Sequence, residues 1–571
     1  MRILGVSNAW DAGAALIVDG RIVAAANEER FSRVKLDRCF PDRAIDFVLG
    51  AAGLDVEDID LVASGCWKGV DAVETAPRLA EDAADQVVRS ADPALTLRIV
   101  DDRLRVSEQR DREYRDEFME AVARRGIGDD RIRFYDHHYT HAVSAWSPSG
   151  FDDALVLTAD GRGDGRSVTL WRATEQGLEL LDMATELVSP GALYGFVTSY
   201  MGFVPDRHEG KVTGLAAYGQ RSEAYDLLSD GYGFDQAAGR LTSCIGRSYS
   251  PFALADMTDL RLDLDGCQRE DVAHAVQAIL EESLVGFLVY NIERLGIDST
   301  NLCLAGGCMG NVKLNYELRR LDQVTDVYVF PHMGDGGLAL GGAMAAELEE
   351  GGQRRVPMMT TYYGPSFDDS EVEAVIAETG LRFERSAEGA LAGVVAELLA
   401  DGLIVGWFQG AMEVGPRALG ARSILATATD QTINDSLNRR LERTEFMPFA
   451  PATTVDRAAD CFVGWHPDQT ASRFMTMCYD CTPLLSERCP AVVHVDGTAR
   501  PQVVIRDHNP RYFDVIEAYT ELTGNPAIIN TSFNHHEEPI VLSPQDALRS
   551  LRDGNVDVLV AGLCVVWPDS V

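Results

Sequence analysis

Two histidines four residues apart are the first feature of this chain that suggests chemistry. In the segment YDHHYTHAVSAW, His137 and His141 would project from one face of a helix, so both imidazoles can bind one metal ion, whereas His138 would point elsewhere. Two acids, Asp160 and Asp335, each follow an apolar segment and precede glycine, where α/β folds present ligands. The four side chains suit Fe(II), Mn(II) or Zn(II), and their types do not choose among the three.

Two glycine-rich segments in the N-terminal half are candidates for contact with phosphate or nucleotide. EGKVTGLAAYG, residues 209–219, places Lys211 among glycines. This pattern fits a phosphate-contacting turn and equally a close packing contact. In LAGGCMGN, Gly306 and Gly307 end a predicted strand and Gly310 opens a predicted helix, an arrangement that would let a nucleotide approach the backbone.

The C-terminal region contains arginines that lie among glycines and prolines rather than on amphipathic helices. Arginines in such loops are expected to be fixed clamps for anions. They are Arg417, Arg422, Arg443, Arg500 and Arg511. The segment NTSFNHHEEPIV follows an apolar strand and adds side chains that would hydrogen-bond a polar ligand. These are Asn530, Thr531, Ser532, Asn534 and Glu538.

The elements that must position these residues form an α/β pattern that occurs twice. Near the N-terminus a strand is followed by AALIVDGRIVAAA, whose Asp19-Gly20 pair is a hairpin signal. From residue 153, DALVLTAD, GRGDGR and SVTLWRA repeat the order of strand, acidic glycine turn and strand. Helical periodicity over residues 270–297, and alternating strands and helices beyond it, complete a second half. The fold class predicted is therefore α/β, with a duplicated actin-like (ASKHA) N-terminal domain.

A chain of 571 residues exceeds what one hydrophobic core usually supports. The polar stretch around residues 353–365, punctuated by glycine and proline, predicts a linker. We therefore predict a first domain over residues 1–352 and a second α/β domain over residues 366–571.

Composition excludes several classes of function. The net charge of −38 repels a phosphate backbone, so we expect no nucleic-acid partner. The N-terminus lacks the features of a signal peptide, and no apolar run suits a membrane span, so a cytoplasmic protein without membrane contact is expected. Irregular cysteine spacing favours reduced, structural thiols.

With these motifs in place, the chain closely resembles the NodU/CmcH family of O-carbamoyltransferases. The resemblance is carried in order by EERFSR, HHYTHA, EGKVTGLAAYG, AGGCMGNVKLN, PHMGDGG, QGAMEVGPRALGARSIL, RTEFMPFAP, RPQ and NTSFNHHEEPIV, and it spans nearly the whole chain. It implies an enzyme with two sites: a Kae1-like N-terminal domain and a YrdC-like C-terminal domain. It also implies that ATP and carbamoyl phosphate form carbamoyl adenylate, whose carbamoyl group passes to a hydroxyl of a small natural product, as in antibiotic biosynthesis.

The resemblance also assigns roles to residues. His137, His141, Asp160 and Asp335 would bind the divalent metal, which the resemblance makes Fe(II), with Mg(II) accompanying ATP. Carbamoyl phosphate and ATP would be held by Arg417, Arg422, Arg443, Arg500 and the polar segment Asn530, Thr531, Ser532 and Asn534. Lys211, Gly306, Gly307 and Asn311 would contact the adenylate.

The chain departs from the family pattern at two sites of chemistry. Trp10 stands where a histidine is common, which makes Asp11 or His138 the candidate base, and Ala411 stands where an arginine is usual. Three alternatives stay open: a tRNA threonylcarbamoyl transferase, a phosphotransferase or nucleotide-binding module, and an ATP-binding scaffold without activity. A homodimer is expected, and the acceptor is not identified by the sequence.

Overall fold

The computed structural model describes residues 1–243, 263–350, 352, 355–444 and 446–568. They form two compact units. The first unit comprises Met1–Ala9, Gly13–Arg21 and Gly53–Pro357; the second comprises Trp10–Ala12, Ile22–Ala52 and Met358–Val571. The main division falls inside the predicted linker 353–365. The structure differs from the predicted division in placing the segment Ile22–Ala52 with the C-terminal unit.

The strands alternate with helices along most of the described chain. The strands are β1 (Arg2–Ser7), β2 (Gly13–Val18), β3 (Arg21–Asn27), β4 (Leu61–Ser64), β5 (Ile132–Phe134), β6 (Ala154–Gly163), β7 (Arg166–Thr174), β8 (Gly177–Thr185), β9 (Tyr232–Asp235), β10 (Arg240–Ser243), β11 (Thr300–Ala305), β12 (Val324–Val329), β13 (Phe383–Arg385), β14 (Val405–Phe408), β15 (Arg422–Ala426), β16 (Ala450–Thr454), β17 (Tyr479–Asp480), β18 (Thr498–Ala499), β19 (Gln502–Val504), β20 (Ile528–Ser532), β21 (Val558–Ala561) and β22 (Cys564–Val566). The helices are α1 (Glu29–Ser32), α2 (Asp42–Ala52), α3 (Thr75–Arg89), α4 (Pro93–Arg124), α5 (His137–Trp146), α6 (Pro190–Tyr200), α7 (Glu209–Ala216), α8 (Glu223–Ser229), α9 (Arg269–Leu295), α10 (Val312–Arg319), α11 (Leu338–Glu349), α12 (Asp369–Glu378), α13 (Glu388–Ala400), α14 (Thr432–Arg440), α15 (Ala458–Cys461), α16 (Pro483–Arg488), α17 (Pro510–Thr523) and α18 (Pro544–Arg552).

The first unit contains the predicted duplication. In one sheet β1 pairs antiparallel with β2 and parallel with β4, which pairs parallel with β5. In the other sheet β6 pairs antiparallel with β7 and parallel with β11, which pairs parallel with β12. The two sheets therefore share one strand order, and the duplicated actin-like fold class is confirmed. Asp19 and Gly20 both have positive φ angles, as the predicted hairpin turn after β2 requires.

Helix α9 lies in the core of the first unit. By length and composition alone this helix could cross a membrane, but 61% of its most apolar 18-residue stretch is buried inside the protein. Burial of this kind is typical of a core helix in a large α/β domain.

The second unit is built on an eight-stranded sheet of order β13-β22-β21-β14-β15-β20-β16-β19, so the predicted second α/β domain is confirmed. Helices α13 and α17 pack on this sheet. Trp407 of β14 and Tyr512 and Tyr519 of α17 lie fully buried in the core that the helices and the sheet share.

The segment Ile22–Ala52 is fastened to the second unit by arginine side chains that donate to backbone carbonyls. Arg30 Nη2 donates to the Gly415 carbonyl at 3.0 Å. Arg33 donates to the carbonyls of Pro539 and Ile540, each at 2.8 Å. The EERFSR motif therefore belongs structurally to the arginine-rich C-terminal unit.

Candidate active site

The four predicted metal ligands come together in the first unit. His137 and His141 lie one helical turn apart on α5, whose N-terminus is capped by the Asp136 side chain. Asp160 lies on β6, and Asp335 opens the short turn that leads into α11. One ligand atom from each of the four residues lies within 4.8 Å of every other, and we call this set the histidine–aspartate cluster.

Distances within the histidine–aspartate cluster suit a shared cation. The Nε2 atom of His141 lies 3.1 Å from Asp160 Oδ2 and 3.6 Å from Asp335 Oδ1. The Nε2 atom of His137 lies 3.6 Å from Asp160 Oδ2 and 3.5 Å from Asp335 Oδ1. Both imidazoles are buried, and both carboxylates are nearly so.

Glycines fix the backbone around the cluster. Asp160 accepts hydrogen bonds from the backbone amides of Gly161 at 2.6 Å and Gly307 at 3.0 Å. A Cβ atom at Gly163 would lie 2.1 Å from Cγ of His137, so only glycine leaves room for this imidazole. The C-terminal end of β6 therefore supplies one ligand and makes space for another.

Burial and mutual charge set the protonation of the cluster. Burial opposes the charged form of His137, but the carboxylates of Asp335 and Asp160 outweigh it and raise its pKa to about 9. Burial also opposes ionisation of Asp160, yet the adjacent imidazoles of His137 and His141 hold its pKa well below the usual value. For Asp335, burial and the nearby charge of Asp160 raise the pKa.

The donor set fits a divalent transition metal. His137 Nε2 and Asp335 Oδ1 are buried and make no hydrogen bond within the described part of the chain. A cation between them would satisfy both atoms, which otherwise carry the cost of buried polar groups without hydrogen bonds. Two imidazoles and two carboxylates suit iron, manganese or zinc.

His138 takes a different direction from its two neighbours, as predicted from helical spacing. Its Nδ1 atom is 2.7 Å from the Thr158 hydroxyl, and that hydroxyl is 2.6 Å from the Thr169 hydroxyl. Burial, with the charge of His137, holds the pKa of His138 well below 6.5. His138 is therefore a neutral imidazole inside the fold. The other candidate base, Asp11, lies in a turn with φ of +56° and belongs to the second unit.

The two glycine-rich segments of the first unit lie near one buried polar network. Lys211 is buried on α7, with its ammonium 5.7 Å from the Phe203 ring centroid. The Asn311 amide donates to Gln277 at 2.7 Å and to the Thr213 hydroxyl at 3.2 Å. Asn311 also caps α10, so the predicted helix after Gly310 starts at this side chain.

Gly306 and Gly307 make close contacts with β6 that the sequence did not reveal. Gly306 has φ of +96°, and a Cβ atom there would lie 2.2 Å from the Ala159 carbonyl oxygen. The Gly307 amide is already used by Asp160. Gly306 is therefore needed for packing against β6, and Gly307 holds a ligand of the histidine–aspartate cluster through its amide.

In the second unit the predicted polar segment meets one of the predicted arginines. Arg443 donates to the Thr531 hydroxyl at 2.9 Å, to the Ser532 hydroxyl at 3.1 Å and to the Asn534 amide oxygen at 2.9 Å. Motifs about 90 residues apart in sequence thus share one site, with guanidinium geometry suited to hydrogen-bonding oxygen atoms.

A second junction joins three more motifs. The Asn530 amide donates to the Gln502 side chain at 2.6 Å and to the Ala418 carbonyl at 3.1 Å. Ala418 follows Arg417, and Gln502 lies two residues after Arg500. Asn530 therefore fixes the segments that carry both of these arginines.

Two arginines expected to clamp anions have other partners. Arg422 is fully buried and donates to the backbone carbonyls of Gln409, Gly410, Ala421 and Pro365. Burial lowers its pKa to about 10. The structure thus gives Arg422 a framework role.

Arg511 is held by acids on two helices of the second unit. It forms ion pairs with Asp369 at 2.7 Å and with Glu388 at 2.6 Å. Arg511 therefore links α12 and α13 to the start of α17 and is committed to carboxylates.

Sequence reasoning missed three supporting residues. The Glu413 carboxylate accepts from the amides of Leu419 and Ala421 and shapes the arginine-bearing turn. Lys35, one of four lysines in the chain, has a pKa lowered mainly by burial, with the charge of Arg443 contributing. Asp164 anchors the start of α5 by accepting from the His137 amide at 2.9 Å.

A cysteine pair was also missed. Cys478 and Cys481 have the CxxC spacing found in redox and metal sites. Burial raises the pKa of Cys481 to about 12, so this thiol is not a ready thiolate.

Comparison with known proteins identifies the family. Residues 2–344 match the family model for the carbamoyltransferase N-terminus, and residues 396–567 match the model for the carbamoyltransferase C-terminus. The chain belongs to the carbamoyltransferase family. It is 35% identical to nodulation protein NolNO of Sinorhizobium fredii over 97% of this chain and 78% of that protein. It is 34% identical to an uncharacterized protein of Synechocystis over 98% of this chain and 95% of that protein.

Among solved structures, HypF of T. kodakarensis is similar over 62% of this chain and 48% of that chain, with 12% identity and a TM-score of 0.32. Component A of the (R)-2-hydroxyglutaryl-CoA dehydratase of Acidaminococcus fermentans is similar over 60% of this chain and 97% of that chain, with 14% identity and a TM-score of 0.34. Likeness at this level supports no conclusion about this chain.

Proposed function

We propose that the chain is an ATP-dependent O-carbamoyltransferase with a separate step in each unit. In the second unit carbamoyl phosphate is hydrolysed to carbamate and phosphate, and carbamate attacks ATP to give carbamoyl adenylate and pyrophosphate. In the first unit a hydroxyl of a small natural product attacks the carbamoyl carbon, AMP leaves, and one proton is released. Membership of the carbamoyltransferase family and the histidine–aspartate cluster carry this proposal.

The side chains suit the charges of each step. Carbamoyl phosphate and ATP are strongly anionic, and Arg417, Arg443 and Arg500 would hold them while Ser532 donates from its hydroxyl. In the first unit Lys211 would hold the adenylate phosphate. A metal bound by the histidine–aspartate cluster would act as a Lewis acid on the carbamoyl oxygen. His138 is the candidate acceptor in this unit for the proton of the attacking hydroxyl.

The family and the four ligands support a metal-dependent transferase, and we propose Fe(II) at the cluster and Mg(II) with ATP. We further propose a cytoplasmic enzyme, acting as a homodimer, with a role in natural-product tailoring. The net charge of −38 argues against the tRNA alternative, because RNA binding relies on positive surfaces.

The test separates the two steps with one substitution in each unit. Arg417→Ala should abolish the pyrophosphate release that depends on carbamoyl phosphate, whereas His137→Ala should retain it and lose transfer to any acceptor. Arg382→Ala, an exposed arginine of the second unit, is the matched control and should behave as the unaltered protein. If the two test variants fail at the same step, the assignment of one step to each unit is wrong. If the unaltered protein binds ATP and releases no pyrophosphate, the inactive scaffold is favoured.

A further inference from the structure

An aromatic pair in the first unit has no part in the function proposed above. The Trp67 indole stacks on the Tyr114 ring with centroids 5.0 Å apart and planes inclined by 16°. Both side chains are half-buried, so part of each is exposed to solvent. Trp67 lies just beyond β4, and Tyr114 lies on the long helix α4.

The position of Trp67 is maintained against backbone strain. Its φ of +64° is in the left-handed region, which a bulky residue adopts only where its surroundings enforce it. The indole Nε1 donates to the Asn8 side chain at 2.7 Å, and the Asn8 amide donates to the Tyr114 carbonyl at 3.0 Å. Arg115 donates to the Trp67 carbonyl at 3.0 Å. Strain held by specific hydrogen bonds is characteristic of residues that contact ligands.

Two sets of contacts connect the aromatic pair to the histidine–aspartate cluster. Asp164 accepts from the Gly69 amide at 2.8 Å and from the His137 amide at 2.9 Å, so one carboxylate joins the Trp67 loop to a metal-ligand residue. Trp67 also packs against a small apolar group formed by Ala9, Cys66 and Leu338. Leu338 is the first residue of α11 and directly follows the turn that carries Asp335.

We propose that Trp67 and Tyr114 form an aromatic wall that positions a ring-shaped, hydroxylated acceptor beside the histidine–aspartate cluster. The C–H face of a cyclic polyol packs against an aromatic ring, while the hydroxyls at its edge stay available for hydrogen bonds and reaction. An acyclic polyol offers no rigid face of this kind. The assignment of the ligand as acceptor rests on the proposed function. The binding of a ring at this wall does not.

The experiment is saturation-transfer NMR on the full chain with methyl β-glucoside and myo-inositol as ring probes and sorbitol as the acyclic probe. The variants are Trp67→Leu, which removes the aromatic ring, and Trp67→Phe, which retains one. Trp567→Leu, a half-buried tryptophan of the second unit, is the matched control. Binding of Mn(II) to each variant checks that the first unit is folded.

We expect Trp67→Leu to lower transfer to the ring probes about fivefold or more, and Trp67→Phe to keep at least about half of it. Trp567→Leu should match the unaltered protein, and sorbitol should give little transfer in any sample. Equal saturation transfer in Trp67→Leu and in the unaltered protein would refute the proposed aromatic wall. So would sorbitol binding as well as the ring probes, or ring probes that receive no transfer from the unaltered protein. Pyrophosphate release by the unaltered protein is measured in parallel; its absence would count against the proposed function and leave the NMR comparison decisive for the wall.

Discussion

Gly163→Ala should disable the metal site by displacing one ligand. The added Cβ would lie 2.1 Å from Cγ, 2.3 Å from Cδ2 and 2.6 Å from Cβ of His137. Ordinary van der Waals contact begins at 3.4 Å, so relieving the closest overlap requires a shift of about 1.3 Å. Metal–ligand distances tolerate only about 0.2 Å, so the imidazole cannot stay bound after such a shift.

The expected effect is a loss of metal affinity of about 100-fold or more, since even residues that only orient a ligand are worth about 10- to 100-fold. Titration calorimetry with Mn(II) measures it. Gly161→Ala is the matched control, because it lies on the same strand and its added Cβ meets no atom within 4 Å. Equal Mn(II) affinity in the two variants would show that His137 is not a ligand or that the strand moves freely, and either result refutes the reasoning.

Three further predictions rest on the contacts and pKa directions described above. The carboxylates of the cluster raise the pKa of His137 to about 9, so metal binding must expel the proton of this imidazole. Mn(II) affinity should therefore rise about tenfold per pH unit up to about pH 9. Calorimetry in buffers of different ionisation enthalpy measures the proton release. Arg422→Ala should lower the free energy of unfolding in urea by about 3 kcal/mol or more, because it leaves buried carbonyls without hydrogen-bond donors. Arg511→Ala should lower the same free energy by only about 1 kcal/mol, since its ion pairs are partly exposed. Gly219→Ala should lower the melting temperature, because its Cβ would lie 2.0 Å from the Glu270 carbonyl oxygen, while Gly210→Ala, which meets nothing within 4 Å, should not.

The parts of the site that sequence predicts are those set by local periodicity. His137 and His141 share a face because a helix returns to it every four residues, and Asp160 ends an apolar strand whose neighbour is also visible in the sequence. Gly163 could not be recognised as a spacer for His137, because that contact joins a strand to a helix. The same limit applies to Trp67, because its strained backbone and its hydrogen bond to Asn8 produce no periodic pattern in the sequence.

The arginines of the second unit show why residue type alone cannot assign a role. Arg417, Arg422, Arg443 and Arg500 occur in similar Gly- and Pro-rich settings, and a guanidinium serves a phosphate or a set of carbonyl oxygens with the same hydrogen-bonding groups. Only the tertiary partners separate these uses. Arg422 donates to four backbone carbonyls, three in the loop before β15 and the fourth at Pro365. Arg443 instead lies among hydroxyl and amide groups of the polar segment.

That difference makes the two arginines separable by experiment. Loss of Arg422 should act through the folding of the second unit and so should reduce every activity of that unit in proportion to unfolded protein. Loss of Arg443 should instead weaken nucleotide or carbamoyl phosphate binding in a unit that remains folded, although it also frees the side chains of Thr531 and Asn534. Arg443→Lys is the sharper variant, because it keeps the charge and removes the planar fork that reaches both side chains. Binding of ATP measured by calorimetry should fall in this variant at an unchanged melting temperature. A lowered melting temperature with unchanged affinity would place Arg443 with Arg422 in the framework.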